Sequence, residues 1–449
     1  MTIFITSFFG LVARNILATD FLRILSSQPD IRIIIFAPKE KKESYQKMFS
    51  TVNIEIEGVD KIPSSFWERI ISPLFLNASD TAARRIHRLI ERQKHGKYLS
   101  SGWHFIVAKS SRFKVFRSFL RRLGRLFLRD AVLAGYFEKY KPDLVFATDI
   151  FEPSDVYMIQ SAQRRGIHVV GMVRSWDNIT TKGLNRVITD GLVVNTSTIK
   201  EEALRYCDFR PDDVYVVGVP HYDAYAVGPR ISKKELFGNL KLDPNKKTVF
   251  FAAPSDIYVQ GDAITPKVVG LLYHLDAQVI VRLYIVGQVN LGGIKLIPNK
   301  VAVDDPGSRA DFMQAELTGQ DSHLADLLYH SDVVVAFAST LAIDAVVFNK
   351  PVIFIGFDGD PGRPYWKSLR RFYDYDHQCS ILSTRGVRLA KTPEDLIVYL
   401  ERYLENPDLD GEGRKKIIEE RCWKLDGQSG KRLANVILKK LAQNKLEYI

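Results

Sequence analysis

Short apolar runs alternate with amphipathic stretches along most of this chain of 449 residues. The first run covers residues 2–6, and after a turn at Gly10 the segment 11–26 has the 3.6-residue period of a helix. Another apolar run follows at residues 31–36, and similar pairs recur through the rest of the chain. Strand, glycine turn, helix and strand in this order are typical of a doubly wound α/β domain. The pattern therefore predicts the α/β fold class.

The clearest such unit lies in residues 332–360, DVVVAFASTLAIDAVVFNKPVIFIGFDGD. Two continuously apolar runs, residues 333–337 and 352–355, predict strands that are buried on both faces. Between them the pattern predicts a helix with Ser339 or Thr340 as its N-cap. The free N–H groups of a first helical turn and the positive end of the helix dipole can hold a diphosphate. A plain β-α-β crossover with a well-capped helix is the alternative interpretation.

This stretch resembles the nucleotide-sugar half of GT-B glycosyltransferases. There an apolar run, a hydroxyl-rich turn, an acidic residue in the helix and a Lys-Pro pair close on the diphosphate and ribose of the donor. The corresponding residues here are 338–340, Asp344 and Lys350-Pro351. Residues 218–225, GVPHYDAY, are similar to the segment that precedes the crossing to the second domain in GT-B chains. The resemblance implies a GT-B fold, with two Rossmann-like doubly wound domains facing a central cleft.

This resemblance also suggests where the domains begin and end. We expect an N-terminal Rossmann-like acceptor domain over residues 1–228, with a basic helical insert at about 64–141. A C-terminal Rossmann-like domain that binds the nucleotide-sugar donor is expected over residues 247–410. The helices of residues 411–449 are expected to cross back to the first domain. Acceptor chemistry would then belong to the first domain and nucleotide binding to the second.

Two loops of the first domain carry the candidates for a catalytic base. Glycosyl transfer requires a group that takes a proton from the acceptor hydroxyl, and positive charge or N–H dipoles at the departing nucleoside diphosphate. Asp177 is the first candidate for the base, and Asp149 or Glu152 comes next. The alternative role of Asp177 is to cap a helix or to hold its loop.

The loop at residues 175–183, SWDNITTKG, is loosely similar to the WHGTPxKxxG loop of CDP-glycerol polymer transferases. A histidine is held to be the base in that family, and this loop contains no histidine. The departure argues against the phosphotransfer form of the reaction. We assign Trp176, Asn178 and Lys182 to the acceptor side of the site.

Donor contacts are predicted at seven positions: Ser339, Thr340, Leu341, Asp344, Arg282, Ser255 and Asp358. Arg282 would meet the phosphates, although an ion pair with Asp304 or Asp305 explains its position equally well. Asp358 or Asp360 would bind sugar hydroxyls. Residues 358–360 spell DxD, the metal-binding signature of GT-A enzymes, but they follow the donor helix. We therefore expect no cofactor and no essential metal, and the nucleotide sugar is a co-substrate.

The charge of the chain indicates an anionic partner. It has 63 Lys and Arg against 52 Asp and Glu, a net charge of +11. Residues 111–130 contain seven of these basic residues and one acid, and four arginines are predicted to face an anionic membrane: Arg117, Arg121, Arg122 and Arg125. An ordinary helix with a solvated basic face is the alternative. Nucleic acid is not expected, because the aromatic residues lie on the apolar stripe and not among the arginines.

The cysteine content and the hydropathy of the chain indicate the cellular compartment of the protein. The chain has three scattered cysteines, which indicate a reducing compartment. No apolar run reaches the roughly 18–20 residues of a membrane-spanning helix. The first residues have the pattern of a strand and not of a signal peptide. We expect a cytoplasmic protein, with peripheral contact to the inner face of the cell membrane as a further hypothesis.

Together these features predict a glycosyltransferase that moves a sugar from a nucleoside diphosphate or monophosphate to a glycan or lipid-linked acceptor in cell-surface polysaccharide biosynthesis. Retaining GT-B enzymes often have a Glu ahead of the phosphate-binding turn, where this chain has Ala336 and Phe337, and this favours an inverting mechanism. A CDP-glycerol-type phosphotransferase, a nucleotide-sugar 2-epimerase and a non-catalytic binding protein for nucleotide sugars or polyanions are the rival hypotheses.

Overall fold

The structure, a computed structural model, describes all residues except 64, 96–97, 127–130, 295–296, 307–319 and 448–449. The chain divides into two compact units. Unit 1 comprises Met1–Asp223 and Arg421–Ile449, and unit 2 comprises Ala224–Glu420. The chain thus leaves unit 1 within the GVPHYDAY segment and returns to it for its last 29 residues.

Unit 1 contains one parallel sheet with helices along its connections. Its strands are β1 (Thr2–Thr6), β2 (Arg32–Pro38), β3 (Ile54–Val59), β4 (Leu144–Ala147), β5 (His168–Met172), β6 (Gly191–Val194) and β7 (Val214–Val216). Within the described residues their order is β3-β2-β1-β4-β5-β6-β7, and every neighbouring pair is parallel. Ile3 lies opposite both Ile33 and Leu144. All three are fully buried, as expected of strands covered on both faces.

Within the described residues, the helices of unit 1 include an insert of five helices between β3 and β4. The helices are α1 (Asp20–Ser26), α2 (Lys42–Phe49), α3 (Phe66–Asn77), α4 (Ala82–His95), α5 (Tyr98–Ser110), α6 (Lys114–Leu126), α7 (Ala131–Tyr140), α8 (Pro153–Arg164), α9 (Asn178–Thr181) and α10 (Ser197–Tyr206). The insert is α3–α7. The helix predicted over residues 11–26 is broken, because Thr19 adopts an extended conformation and its side chain accepts a hydrogen bond from Phe21 N. A π-helical turn, Ala13–Leu17, precedes this break.

Unit 2 repeats the same topology. Its elements are α11 (Lys233–Asn239), β8 (Thr248–Ala252), α12 (Asp256–Val259), α13 (Ile264–Leu272), β9 (Gln278–Arg282), β10 (Val301–Asp304), α14 (Gln320–His330), β11 (Val333–Ala336), α15 (Leu341–Val347), β12 (Val352–Ile355), α16 (Asp376–Ser383), β13 (Val387–Ala390), α17 (Pro393–Glu405) and α18 (Gly411–Arg421). Among the described residues the strand order is β10-β9-β8-β11-β12-β13, again parallel throughout. The predicted α/β class is confirmed for both halves.

The last helix, α19 (Ser429–Glu447), belongs to unit 1 and is held by the GVPHYDAY segment. The Asp223 carboxylate accepts hydrogen bonds from Ser429 N (3.0 Å) and Gly430 N (2.8 Å). Arg432 Nε donates to Val217 O at 2.8 Å. A carboxylate that accepts from the first amides of a helix satisfies donors that have no intrahelical partner. The segment that the resemblance singled out therefore anchors the returning chain.

Replacing Gly218 by alanine is expected to destabilise unit 1 by about 2–4 kcal/mol, from a left-handed backbone and overpacking. Gly218 has φ +90°, and an added Cβ would lie 2.4 Å from Ser429 Oγ. Gly427→Ala is the matched control, because Gly427 also has a positive φ (+69°) but has open space around it. Thermal unfolding of the two variants separates backbone strain from crowding. Equal losses in both would rule out the close approach as a cause.

The arginines of α6 do not all face outward as predicted. Arg117 and Arg121 point into unit 1, where both pair with the buried Asp208 carboxylate at 2.5 and 2.6 Å. Arg121 also donates to Asn185 O at 3.0 Å. The prediction that these two arginines face a membrane is therefore wrong, whereas Arg122 and Arg125 are exposed. The end of the predicted basic segment, residues 127–130, lies outside the described residues.

In the part of the chain that the structure describes, none of the helices has both the length and the apolar character that crossing a bilayer requires.

Candidate active site

Each sheet has one position where the strand order changes direction. In unit 1 it lies between β1 and β4, and in unit 2 between β8 and β11. At such a switch point the connections leave to opposite sides, so a crevice opens outside the carboxyl ends of the two strands. The loops after β4 and β11 carry Asp149 with Glu152, and Ser339 with Thr340, respectively. Two of the predicted clusters therefore lie where parallel α/β sheets bind ligands.

In unit 1, Asp149 holds two cations. Its buried carboxylate accepts hydrogen bonds from Phe151 N (2.7 Å), Arg174 Nε (3.1 Å) and Lys182 Nζ (3.4 Å). The Arg174 guanidinium carbon lies 3.6 Å from the centroid of the Phe9 ring, which follows β1. The Asp149 carboxylate thus holds together the loops at this edge of the sheet. Because its oxygens already accept these hydrogen bonds, Asp149 is a weaker candidate for the catalytic base than a carboxylate without such bonds. Arg174 and Phe9 had no assigned role in the sequence prediction.

Glu152 has a different environment from Asp149. It is half-buried just before α8, and its carboxylate forms no hydrogen bond within the described residues. Burial raises the pKa of Glu152 above its ordinary value, and the negative charge of Asp149 raises it further. Lys182 and Arg174 oppose this rise without cancelling it. A carboxylate with a raised pKa and an unoccupied oxygen is suited to accept a proton.

Asp155, on the first turn of α8, was not found from the sequence. Burial raises its pKa well above the ordinary range, and the Asp149 charge adds to the rise. Thr6 Oγ1 donates a hydrogen bond to Asp155 and accepts one from Thr148 N at 2.9 Å. Asp155 therefore links the ends of β1 and β4 beneath the exposed part of the site. In the sequence it is indistinguishable from an ordinary acidic residue in a first helical turn.

Asp177 is engaged within its own loop. Its carboxylate accepts hydrogen bonds from Ser175 Oγ at 2.5 Å and from Thr181 Oγ1 at 3.5 Å. These contacts favour the alternative role, in which Asp177 holds the loop. Trp176 is buried, with the guanidinium carbon of Arg421 5.5 Å from the centroid of its ring system, and Asn178 is buried as well. Of the predicted acceptor-side residues, only Lys182 reaches the Asp149 cluster.

The basic insert forms hydrogen bonds with the acceptor-side loop, residues 175–183, and with Leu184, which follows it. Thr81 Oγ1 donates a hydrogen bond to Thr180 O at 2.6 Å, just ahead of α4. Leu184 N donates to Phe75 O at 2.9 Å, and this bond joins α3 to the residues that follow α9. The insert therefore fixes the position of the acceptor-side loop.

In unit 2, Ser255 and the start of α15 flank the switch point. Ser255 is fully buried after β8, and its side chain accepts a hydrogen bond from Ile257 N at 3.4 Å as the N-cap of α12. Ile343 N donates to Thr340 O at 2.8 Å, and the amides of Thr340 and Leu341 make no such backbone bond within the described residues. These two N–H groups, with the half-buried Ser339 hydroxyl, can donate to an anionic group.

Asp344 lies on the first turn of α15 and is largely buried. The other predicted donor contacts, Arg282 and Asp358, have internal partners. Arg282 forms a buried ion pair with Asp304, which also lies 2.8 Å from His323 Nε2. The Asp358 carboxylate accepts from Ser368 Oγ and Leu369 N, both at 2.7 Å.

These contacts favour the ion-pair explanation for Arg282 and a turn-stabilising role for Asp358. Within the described residues, the structure contains no group of three or more His, Cys, Asp or Glu side chains arranged to hold a metal ion. The candidate donor site therefore consists of Ser339, Thr340, Leu341, Asp344 and Ser255, without Arg282 and Asp358.

Comparison by sequence gives one family match. A profile of the family described as CDP-glycerol:poly(glycerophosphate) glycerophosphotransferase matches residues 305–439, which lie mostly in unit 2 and include α15. A search of curated protein sequences gives no significant match. The family match thus covers less than a third of the chain.

Comparison by structure covers nearly the whole chain. A candidate UDP-N-acetylglucosamine 2-epimerase from Listeria monocytogenes has a TM-score of 0.56 at 12% identity, covering 98% of this chain and 97% of its own. The UDP-GlcNAc 2-epimerase from Neisseria meningitidis, bound to UDP-GlcNAc, has a TM-score of 0.55 at 14% identity, with 98% and 100% covered. The wall teichoic acid polymerase TagF has a TM-score of 0.52 at 12% identity, with 98% and 89% covered.

The chain has the GT-B fold. The resemblance found in residues 332–360 is therefore confirmed at the level of fold, with a Rossmann-like sheet in each half. At 12–14% identity the structural likeness establishes the GT-B fold and leaves the reaction to be argued from the residues.

Proposed function

We propose that this GT-B protein is a glycosyltransferase that moves a sugar from a nucleotide-sugar donor to a glycan or lipid-linked acceptor in cell-surface polysaccharide biosynthesis. The observation that carries the proposal is that each half of the fold has a polar cluster at its switch point. One cluster, around Glu152, can accept a proton, and the other, at the start of α15, can bind an anion. A transferase of this kind needs both.

In the proposed reaction, the Glu152 carboxylate takes the proton of the acceptor hydroxyl as its oxygen attacks the anomeric carbon. The bond between that carbon and the phosphate oxygen of the donor breaks, and the nucleotide leaves with the bonding electron pair. The amides of Thr340 and Leu341 and the Ser339 hydroxyl donate hydrogen bonds to the leaving phosphate, and Asp344 accepts from the ribose hydroxyls. Direct attack inverts the configuration at the anomeric carbon. N–H groups, instead of a metal ion, stabilise the negative charge on the leaving phosphate.

Nucleotide binding tests the donor site. A ligand at about a hundred times its dissociation constant stabilises the native state by about 2.7 kcal/mol. We expect one of UDP, GDP, CDP, CMP and TDP to raise the melting temperature without Mg²⁺. Ser339→Trp is expected to abolish the shift, because the indole would cover the first turn of α15. Ser383→Trp, at an exposed serine of unit 2, is the matched control. A full shift in Ser339→Trp would place the nucleotide elsewhere.

A second candidate is the transfer of glycerol phosphate from a CDP-activated donor, and the family match at residues 305–439 favours it. The two reactions differ in the bond that breaks and in the nucleotide released. Glycosyl transfer from a nucleoside diphosphate sugar cleaves the anomeric carbon–oxygen bond, whereas glycerophosphate transfer cleaves the phosphoanhydride and releases CMP. Product analysis therefore separates them. Conversion of a nucleotide sugar without any acceptor would instead identify an epimerase, and binding without turnover would identify a binding protein.

A further inference from the structure

The positive charge of this protein is concentrated in the insert. Residues 64–141 contain 17 Lys or Arg and 5 Asp or Glu, a net charge of +12 against +11 for the whole chain. The remainder of the chain is therefore almost neutral. The insert is therefore the part of the protein that an anionic surface would attract.

The insert also exposes an unusual share of apolar side chains. Of the 24 large apolar side chains that are exposed among the described residues, 13 belong to this segment, which is 78 residues of 449. Ten of them lie on α3, α5 and α6. Apart from Leu76 near the end of α3, they are Phe66, Trp67 and Ile70 on α3, Trp103, Phe105 and Ile106 on α5, and Val115, Phe119 and Leu126 on α6. We call these nine residues the docking surface. Scattered exposed apolar residues are common, but such a concentration indicates an interaction site.

The docking surface is distinct from the core of the insert. Other residues of the same three helices pack together, through Ile71 and Phe75 of α3, Val107 of α5 and Leu120 of α6. On α6, Arg121 is buried while Val115 and Leu126 are 82% and 74% exposed. A helix that faces only water would have the opposite arrangement.

We propose that the docking surface binds an anionic lipid bilayer, with its apolar side chains inserted at the level of the headgroups. Aromatic and aliphatic side chains beside Lys and Arg are typical of helices that lie in a membrane interface. Lys109 Nζ lies 5.4 Å from the centroid of the exposed Phe105 ring. Arg122 and Arg125 are exposed on the same insert and can meet lipid phosphates. This inference does not depend on the proposed reaction.

Charge distinguishes a bilayer from other occupants of the docking surface. A second copy of this chain would place one insert of charge +12 against another, and like charges across an interface are unfavourable. A nucleic acid could stack its bases on the aromatic rings of the docking surface, but it would leave the exposed aliphatic side chains of Ile70, Ile106, Val115 and Leu126 without an apolar partner. An anionic bilayer satisfies both the charge and the apolar side chains.

Flotation of the full-length protein with vesicles tests the proposal. The probes are vesicles of phosphatidylcholine alone and of phosphatidylcholine with phosphatidylglycerol, each at low and high salt. The test variant is Phe66→Ser with Trp67→Ser and Ile70→Ser, since these positions on α3 are exposed and lie outside the core of the insert. The control variant is Val52→Ser with Val227→Ser and Val398→Ser, which removes three exposed apolar residues outside the insert.

We expect the wild type to float with phosphatidylglycerol vesicles and the test variant to partition about tenfold or more weakly, with the control variant unchanged. Three outcomes would overturn the proposal. The first is no flotation with either vesicle. The second is equal flotation of the test variant and the wild type, which would indicate adsorption by charge alone. The third is a concentration-dependent dimer that the test variant abolishes, which would make the surface an interface between copies.

Discussion

Replacing Glu152 by glutamine is expected to lower kcat by about 10²–10⁴-fold, the usual contribution of a general base, while nucleotide binding persists. The substitution keeps the size of the side chain and removes its ability to take a proton. Burial and the nearby Asp149 charge both disfavour the ionised Glu152, so a neutral amide at this position should not destabilise unit 1. Single-turnover assays at saturating donor separate the loss of chemistry from a loss of binding.

The pH dependence supplies a second readout for Glu152. A base works in its ionised form, so kcat/KM is expected to fall as the pH drops through the pKa of Glu152. Because this pKa is raised, the acid limb of the profile should lie above the ordinary glutamic acid value of about 4.3. In Glu152→Gln this limb should be absent. A variant that only disturbed the structure would retain it.

Two substitutions give the controls for this prediction. Glu201→Gln makes the same chemical change at an exposed position of α10 and should leave kcat unchanged. Asp177→Asn tests the other candidate base. Because Asp177 accepts hydrogen bonds from Ser175 and Thr181, we expect its replacement to loosen the loop and to affect KM more than kcat. If Asp177→Asn instead lost more kcat than Glu152→Gln, Asp177 would be the base.

The second large effect is expected at Asp208, where asparagine should destabilise the protein by about 3–5 kcal/mol. The Asp208 carboxylate is the shared partner of Arg117 and Arg121, and the side chains of Asp208 and Arg121 are only 4% and 6% exposed. Removing the carboxylate charge would leave the guanidinium groups of Arg117 and Arg121 in the interior without this negatively charged partner. The backbone is not the cause, since asparagine accommodates the positive φ of this residue (+64°) well.

Thermal unfolding of the full-length protein measures the loss at Asp208. For a unit of this size, each kcal/mol corresponds to about 2–4 °C, so the melting temperature is expected to fall by about 6–20 °C. Asp212→Asn, at an exposed position a short way further along the chain, is the matched control and should change it little. A fall of only a degree or two in Asp208→Asn would show that α6 is held by its apolar contacts alone.

The stabilisation that the Asp208 ion pairs provide is expected to be lost at low pH. Burial by itself would raise the pKa of Asp208, but hydrogen bonds from Arg117 and Arg121 outweigh it and lower the pKa below its ordinary value. A lowered pKa in the folded state stabilises the protein fully above the unfolded value of about 3.9. The stabilisation is lost as the pH falls through the lowered pKa. The difference between wild type and Asp208→Asn should therefore shrink only below about pH 4.

The sequence determined the elements and the edge of the sheet where the candidate sites lie. Continuous apolar runs fixed β11 and β12 to within a residue or two, and the hydroxyl-rich turn between them located the start of α15. These are local properties, because a strand buried on both faces requires apolar residues whatever surrounds it. The placement of Asp149 and Glu152 after β4 followed from the same pattern.

The tertiary structure decided what each polar residue does, because that depends on partners distant in the chain. The Arg117–Asp208 and Arg121–Asp208 pairs join residues 91 and 87 positions apart, so periodicity alone could not show that two arginines of α6 turn inward. Glu152 and Asp177 are both acids in loops, and only their neighbours distinguish a carboxylate with a raised pKa from one that holds its loop. Local sequence determines the backbone, whereas burial and long-range pairing determine the chemistry.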